Sequence, residues 1–373
     1  MVKYESLNVL QNFQNERNPF PMKNEVYDFS KIMQCFWKTN RMYDESVLMV
    51  SEDGNLPEAR LLFNPHSIVS VRNSHWDMEY SEGTDWTFED GKLKLLKGTR
   101  AEFLTKGELY PSSHMEGWTF DKLGGGHVLF HEGHYFHDKQ LSVTYTISQN
   151  SWKGPVPSYQ GDRLSVTMNK LENKKPIKLI LFGDSISEGA NASYITGVPP
   201  FMPSWGELTA RKLTEVYQCP VDFKNPSVGG KDSAWGKNNA HHLVSIEKPD
   251  LVIIAFGMND GTAKVLPAVF KQNISSIIKD VKTTNPGTEF ILVSGMLANP
   301  ETYFSGLQAE YKQVLQELTG NGVVLANMTD IHHELLKYKK LTDMTGNNIN
   351  HPNDYLIRWY AQVVSAILIE NIK

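Results

Sequence analysis

The sequence predicts a two-part chain: an all-β half of jelly-roll type, then an α/β half built on a doubly wound parallel sheet. Three observations carry this. Up to about Met168, short runs rich in Tyr, Trp, Phe, Val and Thr are separated by Glu-Gly, Asp-Gly and Gly-Gly-Gly breaks. After Lys174, continuous apolar runs alternate with helical patterns, as buried parallel strands and their crossover helices do. Between them a polar stretch at 169–175 reads as a linker, which sets an N-terminal domain at 1–170 and a C-terminal one at 176–373.

The first 45 residues show no clear period beyond a short helix expected at 28–37. The β-type runs follow at 67–73 (SIVSVRN), 75–80 (HWDMEY), 84–96 (TDWTFEDGKLKLL), 127–130 (HVLF) and 140–147 (QLSVTYTI). Short strands at regular spacing predict an antiparallel sandwich. In the second half the strands are expected at 176–184 (PIKLILFGD), 221–225, 251–257, 290–295 and 323–327. Helices are expected at 204–217, 235–247, 265–283, 302–318 and 354–372. Strands buried on both faces mean a parallel sheet covered by helices on each side.

Composition narrows the function. Hydrophobic residues make up 40% and charged residues 21% of the 373, a globular balance. Lys and Arg number 37 against 42 Asp and Glu, so the chain lacks the basic footprint of a nucleic-acid binder. No apolar run is long enough to span a membrane, and the N-terminus lacks the apolar region of a secretory leader, so the expected location is cytoplasmic. Two cysteines, Cys35 and Cys219, exclude a disulfide framework and an all-cysteine zinc site.

In an open α/β sheet, ligands bind where the carboxyl ends of the strands meet their loops. Here those positions hold Gly183-Asp184-Ser185, then Asn225-Pro226-Ser227-Val228-Gly229-Gly230, then Gly257-Met258-Asn259-Asp260. Before the last helix stands Asn348-Ile349-Asn350-His351-Pro352-Asn353-Asp354. A serine, a glycine, an asparagine and a histidine thus appear in order at loop positions. This set resembles the four motif blocks of the SGNH (GDSL-type) hydrolases, over roughly 177–372. The G-x-S-x-G elbow of the α/β-hydrolases is missing. The resemblance implies a flavodoxin-like SGNH fold and a serine esterase activity with no cofactor and no metal.

On that reading each residue has a chemical task. Ser185 is the nucleophile, and a serine hydroxyl needs a neighbouring base to take its proton. His351 suits that role because imidazole titrates near neutral pH and can hand the proton on to the leaving alkoxide. The oxyanion formed on the substrate would meet the backbone N–H of Ser185, the backbone N–H of Gly230 and the side-chain amide of Asn259. Gly229 is the less favoured alignment. Asp184 and Asp260 are expected to brace the loops by accepting backbone N–H bonds.

One position departs from the family pattern. An aspartate normally stands three residues before the histidine, and here it is Asn348. A carboxylate both orients the imidazole and stabilises the imidazolium, whereas an amide oxygen can only orient it. Asn348, a backbone carbonyl in a Ser–His dyad, or another acid such as Asp354 or Asp343 are the alternatives.

The segment 191–205 is rich in proline and aromatics and would wall the cleft against large acyl groups. Trp205, Trp235 and Met258 are the candidate substrate-binding residues, with Tyr194 and Phe201 as further aromatic candidates; the alternative is that Trp205 and Trp235 pack in the core at helix starts. An all-β module ahead of an SGNH domain resembles two-domain carbohydrate acetylesterases of the acetyl xylan esterase kind. That resemblance implies an acetylated carbohydrate as substrate partner and leaves a homo-oligomer open. A short-chain thioesterase or lysophospholipase-type hydrolase is the alternative within the enzyme class, and an inactive carbohydrate-binding protein is the one outside it. His127, His131, His134 and His137 do not fall on one strand face, so they read as a hairpin tip rather than a metal site.

Overall fold

The parallel sheet of the second half forms because its central strands carry no polar side to give to water, only the edge strand Val221–Lys224 exposing Asp222 and Lys224. In the computed structural model, which describes residues 27–372 apart from 53 and 150, five strands pair in parallel. Their order in space is Val221–Lys224, Ile177–Gly183, Leu251–Ala255, Glu289–Ser294 and Val323–Asn327. This is the 2-1-3-4-5 order of flavodoxin-like sheets, whose switch point lies beside the first strand. Alternate side chains of that strand feed different cores. Leu179 and Leu181 join one apolar cluster, while Ile180 and Phe182 join the cluster on the opposite face.

The helices follow the sequence with three corrections. A helix expected at 302–318 is reduced to a short turn, Gln308–Glu310, and the helix Tyr311–Gln316. Gly306 packs so tightly on Gly261 that a Cβ there would lie 1.9 Å from the Gly261 carbonyl oxygen, and this close approach replaces the first helical turns. The stretch read as a linker at 169–175 is largely helical, being the end of the helix Ser165–Glu172, and a further helix, Met328–Leu335, is capped by Asn327.

In the first half most expected strands are present, and Arg41–Leu48 and Thr119–Asp121 are added. The stretch 75–80 is instead a turn followed by the short strand Glu79–Tyr80, and the pairing does not establish a jelly roll. Arg41–Leu48, Gln140–Thr146, Ser67–Asn73 and Glu79–Tyr80 form a four-stranded sheet, antiparallel throughout. Glu58–Ala59, Lys92–Leu95 and Trp86–Glu89 form a smaller sheet of three. The turn between the last two is Asp90-Gly91, both at positive φ, which matches the twist of a two-residue hairpin. A separate hairpin, Thr119–Asp121 with His127–Leu129, projects from these sheets. The short helix expected at 28–37 is Phe29–Ile32, capped by Asp28. Residues 1–26, the rest of that N-terminal reading, lie outside the described residues.

The two halves share one core. A single apolar cluster runs from Phe29 and Val71 in the first half to Leu179 and Trp359 in the second. The last helix, Asp354–Leu368, is buried at every one of its residues. Its Arg358 donates to the carbonyl oxygens of Ile32, Tyr43 and Asp44, all in the first half. Nearby, Lys339 of the second half and Glu45 of the first are both fully buried, with Nζ 2.6 Å from Oε1. Lys339 also donates to the Ser46 carbonyl.

Removing one partner of such a buried pair leaves an uncompensated charge inside the protein. Lys339→Met should therefore cost about 3–5 kcal/mol in urea denaturation. A loss under about 1 kcal/mol would show that the pair does not hold the halves together.

Candidate active site

Ser185 begins the helix Ser185–Glu188 directly after the buried strand Ile177–Gly183, so its Oγ is fixed from below by the sheet. Asp184 caps that helix by accepting from the Ile186 N–H at 3.0 Å. Deep burial pushes the Asp184 carboxyl up to about 7.

His351 reaches Ser185 from the loop before the last helix, with Nε2 2.9 Å from Oγ. Asn347 organises that loop, its Oδ1 accepting from the backbone N–H groups of Ile349, Asn350 and His351. Asn353 then caps the last helix through the Leu356 N–H.

The far side of the ring shows what sequence reasoning missed. His351 Nδ1 lies 2.8 Å from Asn191 Oδ1 and 3.3 Å from Glu132 Oε2. Asn191 Nδ2 donates to the carbonyl oxygens of Gly133 and Gly346, so its Oδ1 is left as the acceptor facing the imidazole. Nδ1 must then carry the proton, which leaves Nε2 free to accept from the Ser185 hydroxyl. Glu132 adds a charge, and Asn347 Nδ2 holds its other oxygen at 3.2 Å.

The titration behaviour follows from these contacts. Burial opposes the charged imidazolium, but the charge and hydrogen bond of Glu132, with Asp184 and Glu188 behind, outweigh it and raise the His351 pKa. For Glu132, partial burial raises the carboxyl, yet His351 and Asn347 outweigh it and leave the pKa lowered.

Asn348, expected as a third catalytic member, is not in contact with His351. Its backbone sits at φ 64°, in the left-handed region that Asn tolerates, and this turns the side chain away. The amide donates instead to the Leu129 carbonyl at 2.8 Å, stitching the histidine loop to the projecting hairpin. Neither alternative acid takes its place. Asp354 accepts from the Ser193 N–H, and Asp343 accepts from the N–H groups of Leu48 and Lys340.

The remaining predicted residues fall into place unevenly. Gly230 lies at φ 73° with open space where a Cβ would be. The Gly229 N–H is already donated to Glu188 Oε2 at 2.9 Å, which leaves Gly230 as the better-placed donor. Asn259 Nδ2 donates to the Lys231 carbonyl at 2.9 Å, so its amide is oriented and has a second N–H to give. Behind it Asp260 accepts from the Ser233 N–H, and burial pushes its carboxyl up to about 6.

Trp205 cannot meet a substrate: it is fully buried and donates to the Ile186 carbonyl. Met258 is buried as well. Trp235 is half-buried against Phe182.

The four clustered histidines go separate ways. His127 pairs with Asp121, His134 with Asp138 and His137 with the Pro199 carbonyl, while His131 packs on Trp118. Among the described residues, one trio could hold a metal ion, His114, Asp121 and His127, with ligand atoms within 4.8 Å of one another. No helix of the described residues is long and apolar enough to cross a membrane.

Residues 181–355 match the GDSL-like Lipase/Acylhydrolase family. An arylesterase of Vibrio mimicus is 25% identical over 195 residues, covering 52% of this chain and 90% of its own length. Esterase TesA of Pseudomonas aeruginosa is 33% identical over 105 residues, 28% of this chain and 48% of its own. Among solved structures, a two-domain esterase (CEX) active on acetylated mannans superposes with a TM-score of 0.47 at 20% identity, covering 58% of this chain and 55% of that one. The acetylxylan esterase Axe2 from Geobacillus stearothermophilus gives 0.40 at 19%, covering 50% and 92%. The chain thus spans about half the length of esterase TesA and of the two-domain esterase.

A parallel α/β sheet with a serine and a histidine converging at its carboxyl edge defines the class as a serine-type hydrolase. More narrowly, residues 181–355 form a GDSL-like lipase/acylhydrolase domain, the ester-hydrolase type to which this site corresponds.

The Glu132 geometry has a measurable consequence. Neutral His351 is the form that can take the serine proton, so activity should rise with pH as His351 loses its own proton. Glu132→Gln removes the charge that holds the His351 pKa up, so the acid limb on p-nitrophenyl acetate should move to lower pH. Turnover should fall about 10- to 100-fold, less than the ~10⁴ seen where a serine protease loses both charge and tautomer control, because Asn191 keeps the tautomer. An unmoved acid limb would show that Glu132 does not act on His351.

Proposed function

We propose that the protein is a serine esterase that removes acetyl groups from acetylated carbohydrates, such as xylo-oligosaccharides, through an acetyl-enzyme on Ser185. The observation that carries this is the chain of contacts from the Ser185 hydroxyl through His351 to Asn191 and Glu132.

As Ser185 Oγ attacks the ester carbonyl carbon, its proton passes to His351 Nε2 and the carbonyl oxygen becomes an oxyanion. The N–H groups of Ser185 and Gly230 and the Asn259 amide receive that charge. The intermediate collapses by breaking the bond to the sugar oxygen, which takes the proton from His351. Water then attacks the acetyl-enzyme with His351 again as base, releasing acetate and restoring Ser185.

Two features support an ester hydrolase with a site for a short acyl group. Much of the segment after the nucleophile is packed down, with Asn191, Ala192, Ser193, Met202 and Trp205 all buried, so it serves as wall rather than as a movable apolar flap. The named relatives are an arylesterase and an esterase, both ester hydrolases by description.

Acetate release from acetylated xylo-oligosaccharides, run beside p-nitrophenyl esters of increasing chain length, tests the reading. Activity should collapse beyond butyrate and should fall by at least ~10³-fold in Ser185→Ala and His351→Ala. Activity that rises with chain length would instead favour a lysophospholipase-type hydrolase. No Ser185-dependent release from any ester would leave a binding protein.

A further inference from the structure

Of the aromatics expected from the sequence to face a substrate, Trp205 is buried and Tyr194, Phe201 and Trp235 are only half-buried, so the best-exposed aromatic faces lie elsewhere. Among the described residues the exposed large aromatics are Trp118, Tyr303 and Tyr338, at 38, 52 and 48%. Two of these three stand on one surface, and that surface is wired to the histidine loop.

Trp118 precedes the hairpin strand Thr119–Asp121, and the returning strand His127–Leu129 runs on into Phe130, His131 and Glu132. Its ring packs on His131 at 3.9 Å between centroids and on the edge of Tyr135 at 5.2 Å. Tyr303 stacks on Phe304 at 4.3 Å, and Phe120 of the hairpin meets Phe304, Tyr303 and Phe130 at 4.9, 5.9 and 4.5 Å. The result is an aromatic wall of two groups carried along one hairpin, Trp118 with His131 and Tyr135, and Phe120 with Phe130, Tyr303 and Phe304, the second made by both halves of the chain.

Polar contacts hold this wall against the reaction centre. Lys122 pairs with Glu301 at 2.8 Å, and the Leu123 N–H donates to the Glu301 carbonyl. Asn299, at the start of the Tyr303 loop, donates its N–H to the Ile349 carbonyl and its side-chain amide to the Asn348 carbonyl. On the other flank, Thr262 Oγ1, at the end of the helix bearing Asn259, donates to the Phe304 carbonyl. The wall therefore rises between the oxyanion block and the histidine block, with Glu132 at its foot.

Direction matters in this reaction. His351 returns its proton to the leaving oxygen, so the alcohol part of the ester must lie on the His351 side, where the wall stands. A flat aromatic face with polar groups at its base suits a ring with an apolar C–H face and a hydroxylated rim. Resting on the deacetylase reading above, we infer that Trp118 and Tyr303 form the stacking platform for pyranose rings of the leaving saccharide.

The test compares wild type, Trp118→Ala and Tyr303→Ala on acetylated xylo-oligosaccharides, p-nitrophenyl acetate and p-nitrophenyl octanoate. Each substitution should lower kcat/KM on the oligosaccharide about three- to tenfold, chiefly through KM, and leave p-nitrophenyl acetate within about twofold. Equal losses on the oligosaccharide and p-nitrophenyl acetate would mean damage to the catalytic centre and overturn the platform. So would unchanged oligosaccharide activity in both variants, or a loss confined to the octanoate, which would assign the wall to an acyl chain. Wild type that cleaves p-nitrophenyl acetate but releases no acetate from the oligosaccharide would refute the sugar reading itself, and the platform with it. Tyr303→Ala keeps the test sound, since its ring contacts Phe120 and Phe304 and stands apart from the Glu132 segment.

Discussion

Burial of the last helix on every face is the constraint from which the site hangs. A helix with one apolar stripe needs one neighbour; Asp354–Leu368 is buried all round and needs two. The parallel sheet and the helix Trp205–Tyr217 cover it on one side, and the sheet of the first half covers it on the other. Arg358 sets the position of that second layer, because its guanidinium is spent on three backbone carbonyls of the first half. His351 lies three residues before the helix. Its place is therefore fixed by packing between the halves and not by its own loop alone.

This sharing explains how the site divides a task that one carboxylate usually performs. Asn191 contributes geometry: its amide is locked by Gly133 and Gly346 and can present only oxygen to Nδ1. Glu132 contributes charge from slightly further away, 3.3 Å against 2.8 Å. Its side chain is 50% exposed, and that exposure lets salt weaken its pull on the imidazolium. An orienting amide close to the ring and a charged group at the rim are thus complementary. The amide alone would fix the tautomer without bringing a charge to stabilise the imidazolium.

Much of this was legible in the sequence, because periodicity reports burial. The run 176–184 reads as a strand buried on both faces, and it is one. Asp90-Gly91 reads as a break among β-type residues, and the chain turns there into a hairpin. The strand-end positions of Ser185, Gly230 and Asn259 follow from the same alternation of strands and helices. Contacts between distant segments leave no such periodic trace. Glu132 lies 219 residues before His351, and nothing in its surroundings announces the partner. The signal that was present was indirect: an asparagine where the family places an acid means that the charge must come from elsewhere. Asn348 misled for a different reason, since a left-handed backbone reverses the side chain's direction and one sequence does not display φ. Trp205 reads as a cleft residue by position, but its helix turns it into the core.

The hairpin Thr119–Leu129 joins these two lines of argument. It lies in the first half, yet it leads directly into Glu132, and its Leu129 carbonyl holds Asn348 in the histidine loop. The same hairpin carries Trp118 and Phe120 on its outer surface. Whatever shifts it must shift the charge behind His351 and the wall beside it together. The α/β half contributes Ser185, His351 and Asn191, and with them the proton path to the nucleophile. The first half contributes the carboxylate that stabilises the imidazolium, and its Gly133 and Leu129 carbonyls help to hold Asn191 and the histidine loop in place. The first half is therefore not an appendage to a self-sufficient catalytic unit; it supplies the electrostatic part of the reaction centre.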